Sequence, residues 1–202
     1  MIDSARIRDF WTWFAGACGT FGERFENAAA IGELGAKIAG LGRFSWELGP
    51  GRKNPYDTLL VISPGGDRDL LPLAREIVAQ APPLPGWEYS PARPPKEWDL
   101  RASLEYDGVG TIFLDARRWR YALLKQPDGR YEIEICAPEL AYYDEVVKQV
   151  AAGIILDWEL GEDVRLDHIA AIQVVAEFDE RLAGDSNPLS VLKDRWTEWT
   201  GS

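Results

Sequence analysis

Asp157, Glu159, Glu162, Asp163, Asp167 and His168 fall within one short stretch of the chain, and His168 is the only histidine present. Carboxylates and an imidazole in such proximity are the side chains that hold a cation. Glu159, Glu162, Asp167 and His168 therefore form a metal set to test, with a metal-dependent hydrolase as the enzyme class they would serve. The spacing fits neither a calcium-binding helix–loop–helix nor a helical zinc pair. Its simpler reading is a solvated acidic loop after a helix, although acids at a helix C-terminus oppose the dipole.

Elsewhere the chemistry is thinner. Ser63-Pro64-Gly65-Gly66-Asp67 joins an apolar run to a helix start, where backbone N–H groups can hold an anion. The segment has neither the lysine of a phosphate-binding loop nor the three-glycine dinucleotide fingerprint, so a tight turn with an Asp cap is the better reading. Cys18 and Cys136 lack any indicated pairing with His168, and Glu132 and Glu134 alternate beside arginines as on an exposed strand face. No catalytic residue and no cofactor are expected.

Nine tryptophans are many for this length. Most lie on apolar faces that need large rings, whereas Trp11, Trp13, Trp98 and Trp199 fit such faces less well and are the candidates for a partner-binding surface. A second possibility is an apolar ligand pocket between sheet and N-terminal helices, lined by Phe14, Trp46, Trp119 and Tyr121.

The composition limits the partners. Thirty-three acidic against 22 basic residues give a net charge of −11, which repels phosphate backbones and anionic lipid, so neither nucleic acid nor membrane is an expected partner. The longest apolar run, around Val150 to Leu156, is too short to span a bilayer. With no signal-peptide plan at the N-terminus and only two cysteines, a cytoplasmic location is expected.

The elements that must position these residues follow from periodicity. Residues 1–42 spell two helices: Ile7, Phe10, Phe14 and Ala17 recur behind Asp3 or Ser4, and Thr20 with Glu23 makes a capping box ahead of Leu34 and Ile38. In 43–90, Phe44, Trp46 and Leu48 alternate as a strand. Leu59 to Ile62 form an apolar strand buried on both faces, and a helix after Asp67 carries Leu70, Leu73, Ile77 and Val78 on its inner face. A short strand, Trp87 to Tyr89, closes this stretch. Residues 91–116 hold prolines and no sustained period, which marks a connection.

The same order recurs in 117–176. Trp119, Tyr121 and Leu123 alternate, Gln126-Pro127-Asp128-Gly129 turns the chain, and Tyr131, Ile133 and Ile135 alternate back, in a register that would set Arg120 near Glu134. A long helix follows, with Tyr143, Val147, Val150, Ile154 and Trp158 on its inner face, widened by Val146, Ala151 and Ile155 and ended by Gly161. Ile169 to Val175 is a final strand, and 187–200 is a C-terminal helix. The expectation is a single α+β domain over 1–202. A pseudo-duplicated strand-strand-helix-strand unit forms one mostly antiparallel sheet with helices on one face, flanked by two N-terminal helices and a C-terminal helix.

Phe10-Trp11-Thr12-Trp13-Phe14, Trp46-Glu47-Leu48-Gly49-Pro50, Ser63-Pro64-Gly65-Gly66 and Ala81-Pro82-Pro83-Leu84-Pro85-Gly86-Trp87 together resemble a pattern of small uncharacterised bacterial proteins. The resemblance covers the first half of the chain. It implies a bacterial origin and a similar fold, and it transfers no functional residue.

An acidic surface, surplus aromatics and missing catalytic signatures favour a non-enzymatic protein-interaction module with a protein partner. An immunity or accessory protein of a bacterial competition system is one type that fits. A small-ligand-binding domain and the metal-dependent hydrolase are the alternatives.

Overall fold

The computed structural model of the chain describes residues 3–22, 25–106 and 108–200, the side chains of Trp199 and Thr200 excepted. One compact unit ends at Arg93 and a second begins at Pro94, a division inside the proline-bearing stretch 91–116.

In the first unit, the Asp3 carboxylate accepts the N–H of Ala5 and starts helix α1 (Ser4–Ala17), which buries Ile7, Phe10, Trp11 and Phe14. Helix α2 (Ala28–Leu41) is capped by Asn27, whose side chain accepts the N–H of Ala30. Thr20 instead lies in a 3-10 turn and donates its hydroxyl to the Ala17 carbonyl, and Glu23 of the expected capping box lies outside the described residues. Strands β1 (Ser45–Pro50) and β2 (Thr58–Ser63) pair antiparallel, and β3 (Trp87–Ser90) lies parallel to β2. Helix α3 (Leu71–Ala79) connects them, with Pro72 in its first turn, where a missing N–H costs nothing. Central β2 buries Leu59, Leu60, Val61 and Ile62, which accounts for its unbroken apolar run. Leu60, Ile62 and Ile77 share one core with the inner faces of α1 and α2.

The second unit opens with a hairpin that has no counterpart in the first. Strands β4 (Arg101–Tyr106) and β5 (Gly110–Asp115) form a two-stranded sheet inside the stretch expected to be a connection. Ala102, Leu104, Tyr106, Ile112 and Leu114 do alternate toward the second core, but Gly108 and Gly110 interrupt the pattern at a short turn. Strands β6 (Arg120–Lys125) and β7 (Tyr131–Cys136) then pair antiparallel.

Their register differs from the expected one. Arg120 faces Cys136, and Glu134 faces Ala122. Gln126 donates its N–H to Arg130, leaving a three-residue loop with Gly129 at φ +87°, a geometry that shifts the pairing by two residues. Arg120 instead donates to the Ser186 hydroxyl at 2.9 Å.

Helix α4 (Glu145–Leu160) is capped by Asp144, and a shorter helix, α5 (Glu162–His168), follows Gly161. Strand β8 (Ile169–Val175) pairs parallel with β7, and β9 (Asn187–Pro188) pairs with β6 beyond helix α6 (Glu180–Asp185). Helix α7 (Leu192–Thr200) closes the chain and packs on α4.

The duplicated order is present in both units. Each has an antiparallel hairpin, a helix, and a third strand laid parallel beside the second, because the helical crossover returns the chain to the end from which it left. The strands form three mostly antiparallel sheets among the described residues, however, where a single shared sheet was expected. The outer edge of β6, where a further strand could join, is taken by β9, and Pro188 has no N–H to extend the ladder. No helix of the described residues is long and apolar enough to cross a membrane.

Candidate functional site

Gly161 stands at φ +91° and ψ +145°, a conformation open to glycine, and there α4 ends and α5 begins. The acidic stretch is therefore a helical corner where a loop was expected. Glu162 and Asp163 occupy the first turn of α5, where the dipole favours them, so the apparent conflict of acids at a helix C-terminus is left to Asp157 and Glu159 in the last turn of α4. Asp157 is buried and pairs with Arg165 across the corner. Glu162 is buried, Asp167 and His168 are exposed, and the His168 ring lies 5.6 Å from that of Trp196. Among the described residues no three His, Cys, Asp or Glu side chains gather in a way that could hold a metal ion.

Glu159 has a different setting from the rest of the expected metal set. It is 6 % exposed and accepts a hydrogen bond from Trp98 Nε1 at 2.7 Å on one carboxylate oxygen. Lys96 holds this segment against α4 by donating its N–H to the Trp158 carbonyl at 2.8 Å, and the rings of Trp98 and Trp158 meet edge to face at 5.0 Å. Burial pushes the Glu159 carboxyl above its ordinary range; the Trp98 bond and Lys193 pull it down, while Glu97 and Asp194 push it up.

Glu159 faces a cleft of about 360 Å³ lined also by Lys96, Glu97, Trp98, Ser190, Lys193 and Asp194. Lys193 binds Glu97 at 2.6 Å, and the Lys96 ammonium lies 4.8 Å from the Trp158 ring. Two cations are thus already engaged beside three carboxylates. A buried carboxylate with a displaced pKa in a cleft is a recognised mark of a binding or catalytic position.

The second feature is a surface of α4. Val147, Ala151, Ala152, Ile155 and Leu156 are buried, but Val146 and Val150, expected on the inner face, are 61 % and 40 % exposed. Tyr142, one turn earlier in a 3-10 turn, is 94 % exposed. The helix is apolar around most of its circumference, so periodicity alone does not select a face. The sheet takes the side of Val147 and Ala151 and leaves Val146 and Val150, four residues apart, on an outward stripe, with Tyr142 exposed in the turn that precedes the helix.

The remaining candidates separate. Trp11, expected at the surface, is 3 % exposed and donates Nε1–H to the Ile77 carbonyl at 2.8 Å, so it joins α1 to α3. Trp13 is half-buried with the Lys37 ammonium 5.5 Å from its ring. The Trp199 side chain lies outside the described residues. Phe14 and Trp46 belong to the core of the first unit, where Gly35 brings α2 against the Trp46 ring. Trp119 and Tyr121 are buried in the core of the second. Each pair thus packs into the core of its own unit.

The Ser63 turn satisfies itself. The Gly65 N–H donates to the Ser63 hydroxyl at 2.9 Å, Ser45 and Ser63 share a hydrogen bond at 3.1 Å, and Arg93 donates to Ser45 at 2.8 Å. Asp67 accepts the N–H of Asp69, as the reading of a capped turn expects. A true anion cradle lies elsewhere, in the loop between β1 and β2, and it is filled from within. The Glu88 carboxylate accepts the N–H groups of Arg52, Lys53 and Asn54 at 2.9 to 3.2 Å, which holds its pKa below the ordinary carboxylate range, the Asn54 bond being the largest cause.

Comparison with known proteins finds no matching family model, no similar curated protein and no similar solved structure.

Lys96, Ser190, Lys193 and Asp194 of the cleft, Tyr142 in the turn before α4, and Glu88 were not singled out by the sequence reading. One available signal was the surplus of apolar residues on α4, more than one buried face can use. The cleft residues carry no periodic signal, because they come from an extended segment, a helix end and a helix start.

Proposed function

We propose that this chain is a non-enzymatic protein-interaction module that docks a protein partner on the outward face of α4. The supporting observation is the pair Val146 and Val150, exposed apolar side chains one turn apart on a helix whose opposite face is already in the core, with the exposed Tyr142 in the turn just before that helix. Isolated exposed apolar residues are ordinary on a protein surface, but an aligned row on a rigid helix is what a helix-groove or helix–helix contact uses. The acidic surplus of the chain suits a partner with basic residues around an apolar centre.

The test is site-specific photo-crosslinking in bacterial extract, with benzoylphenylalanine placed at Tyr142 or, as control, at Tyr56, which is equally exposed. The expected result is a discrete adduct from position 142 alone, lost when Val146→Asp is added to a chain with unchanged circular dichroism. Equal adduct patterns from both positions would refute the reading.

A small-ligand-binding domain is the second reading, and the cleft at Glu159 favours it. The pocket first expected for it is replaced by this one, which is charged and lies wholly in the second unit.

A further inference from the structure

The geometry points to the Glu159 cleft as a binding site for a small organic ammonium ion, an inference that rests on the ligand-binding reading above. The site is built rather than merely acidic. Glu159 is nine-tenths buried, one of its oxygens is fixed by Trp98, and the cleft it faces has room for a short alkylamine.

The charge inventory selects the sign of the ligand. Lys193 is paired with Glu97 and acts on Glu159 only through its field, and Lys96 sits over Trp158, so neither ammonium forms an ion pair with Glu159 or Asp194 among the described residues. Three carboxylates and two lysines leave a net negative charge in the cleft. A carboxylate taken out of water gains most from a cation that brings hydrogen-bond donors, and a primary ammonium brings three. Trp98 supplies an aromatic wall, against which the methylene chain of an amine can pack and which attracts cations. A metal ion is a poorer occupant, since the described residues offer no group of ligands for one.

The chemistry also sets a pH dependence. Glu159 binds an ammonium only as the anion, and its pKa is displaced upward, so affinity falls as pH drops through that raised value.

The test uses the full-length chain and 1,4-diaminobutane, with 1,4-butanediol as neutral isostere, succinate as anion and γ-aminobutyrate as zwitterion. Binding is followed by calorimetry and by the Trp98 indole N–H resonance, assigned with Trp98→Phe. The diamine is expected to bind and shift that resonance while the diol and succinate do not. Glu159→Gln is expected to weaken binding about tenfold or more, as loss of a buried charge partner does, and Asp194→Asn, at an exposed position, about threefold. Glu105→Gln, an acid outside the cleft, is expected to leave it unchanged.

If Glu159→Gln does not fold, Asp194→Asn and the indole resonance still decide. Binding of the diol as tightly as the diamine would refute the ammonium inference and leave the ligand-binding reading in place. So would equal binding of γ-aminobutyrate, which would assign Lys96 and Lys193 to an anion. No binding of any of the four at tens of millimolar would refute both. Equal losses in Glu105→Gln and Glu159→Gln would reduce the effect to the general acidity of the surface.

Discussion

The indole N–H of Trp98 and Oε1 of Glu159 lie 2.7 Å apart, and that bond ties an extended segment to the last turn of α4 while keeping a carboxylate out of bulk water. The two residues come from different sequence arguments, one a surplus aromatic and the other a metal candidate. Together they define the wall of a cleft.

Glu159 has a stability signature. Its folded pKa is raised above the ordinary 4.5, so between those two values the folded state keeps a proton that the unfolded chain has released. Stability therefore falls as pH rises through that window. Glu159→Gln cannot ionise and still offers an acceptor to Trp98, so urea midpoints across pH 4 to 8 should lose that downward slope in the variant. Parallel curves for both proteins would show that Glu159 titrates as in an unfolded chain.

The corner between α4 and α5 depends on glycine. A Cβ at Gly161 would stand 3.0 Å from Pro95 Cδ and 3.1 Å from Asp163 Oδ1, in a conformation unfavourable for any other residue. Gly161→Ala is expected to cost about 2 kcal/mol by chemical denaturation. At Gly153, in the middle of α4, an added Cβ meets nothing within 4 Å, and Gly153→Ala is expected to gain about 0.5–1 kcal/mol from helix propensity.

Adjacent valines on α4 should behave oppositely. Val147 is buried and Val146 faces outward, so Val147→Ala is expected to lose about 2 kcal/mol and Val146→Ser to stay within about 0.5 kcal/mol of the parent. Equal losses at both positions would mean that the helix is turned differently.

Glu88 organises the loop between β1 and β2. Its folded pKa is lowered, so the order it imposes is present above the ordinary 4.5 and is lost as pH falls through the lowered folded value. Protection factors for hydrogen exchange at the amides of Arg52, Lys53 and Asn54, taken against the intrinsic rate at each pH, should fall in that acid range, and should be low in Glu88→Ala at every pH. Unaltered protection in the variant would assign the loop's order to other contacts.

The repeated hairpin–helix–strand order is legible without coordinates because each element carries its own period. Leu59 to Ile62 announces a strand covered on both sides, and Ile169 to Val175 is both the expected strand and the observed one. Trp119 and Ile133 alternate toward a core that the structure contains. The hairpin formed by β4 and β5 is missed because its inward residues include small Ala102 and its outward face carries the exposed Phe113, which blurs the alternation.

What the sequence determined by itself is this local order: helices, strands and their sequence of appearance, since backbone preference and the spacing of apolar residues act over a few positions. Only the tertiary structure decided which side of α4 faces inward, where Arg120 pairs, and that Trp98 meets Glu159. Those outcomes depend on packing and hydrogen bonds between residues far apart in the chain, and an apolar stripe specifies that burial occurs without naming what it is buried against.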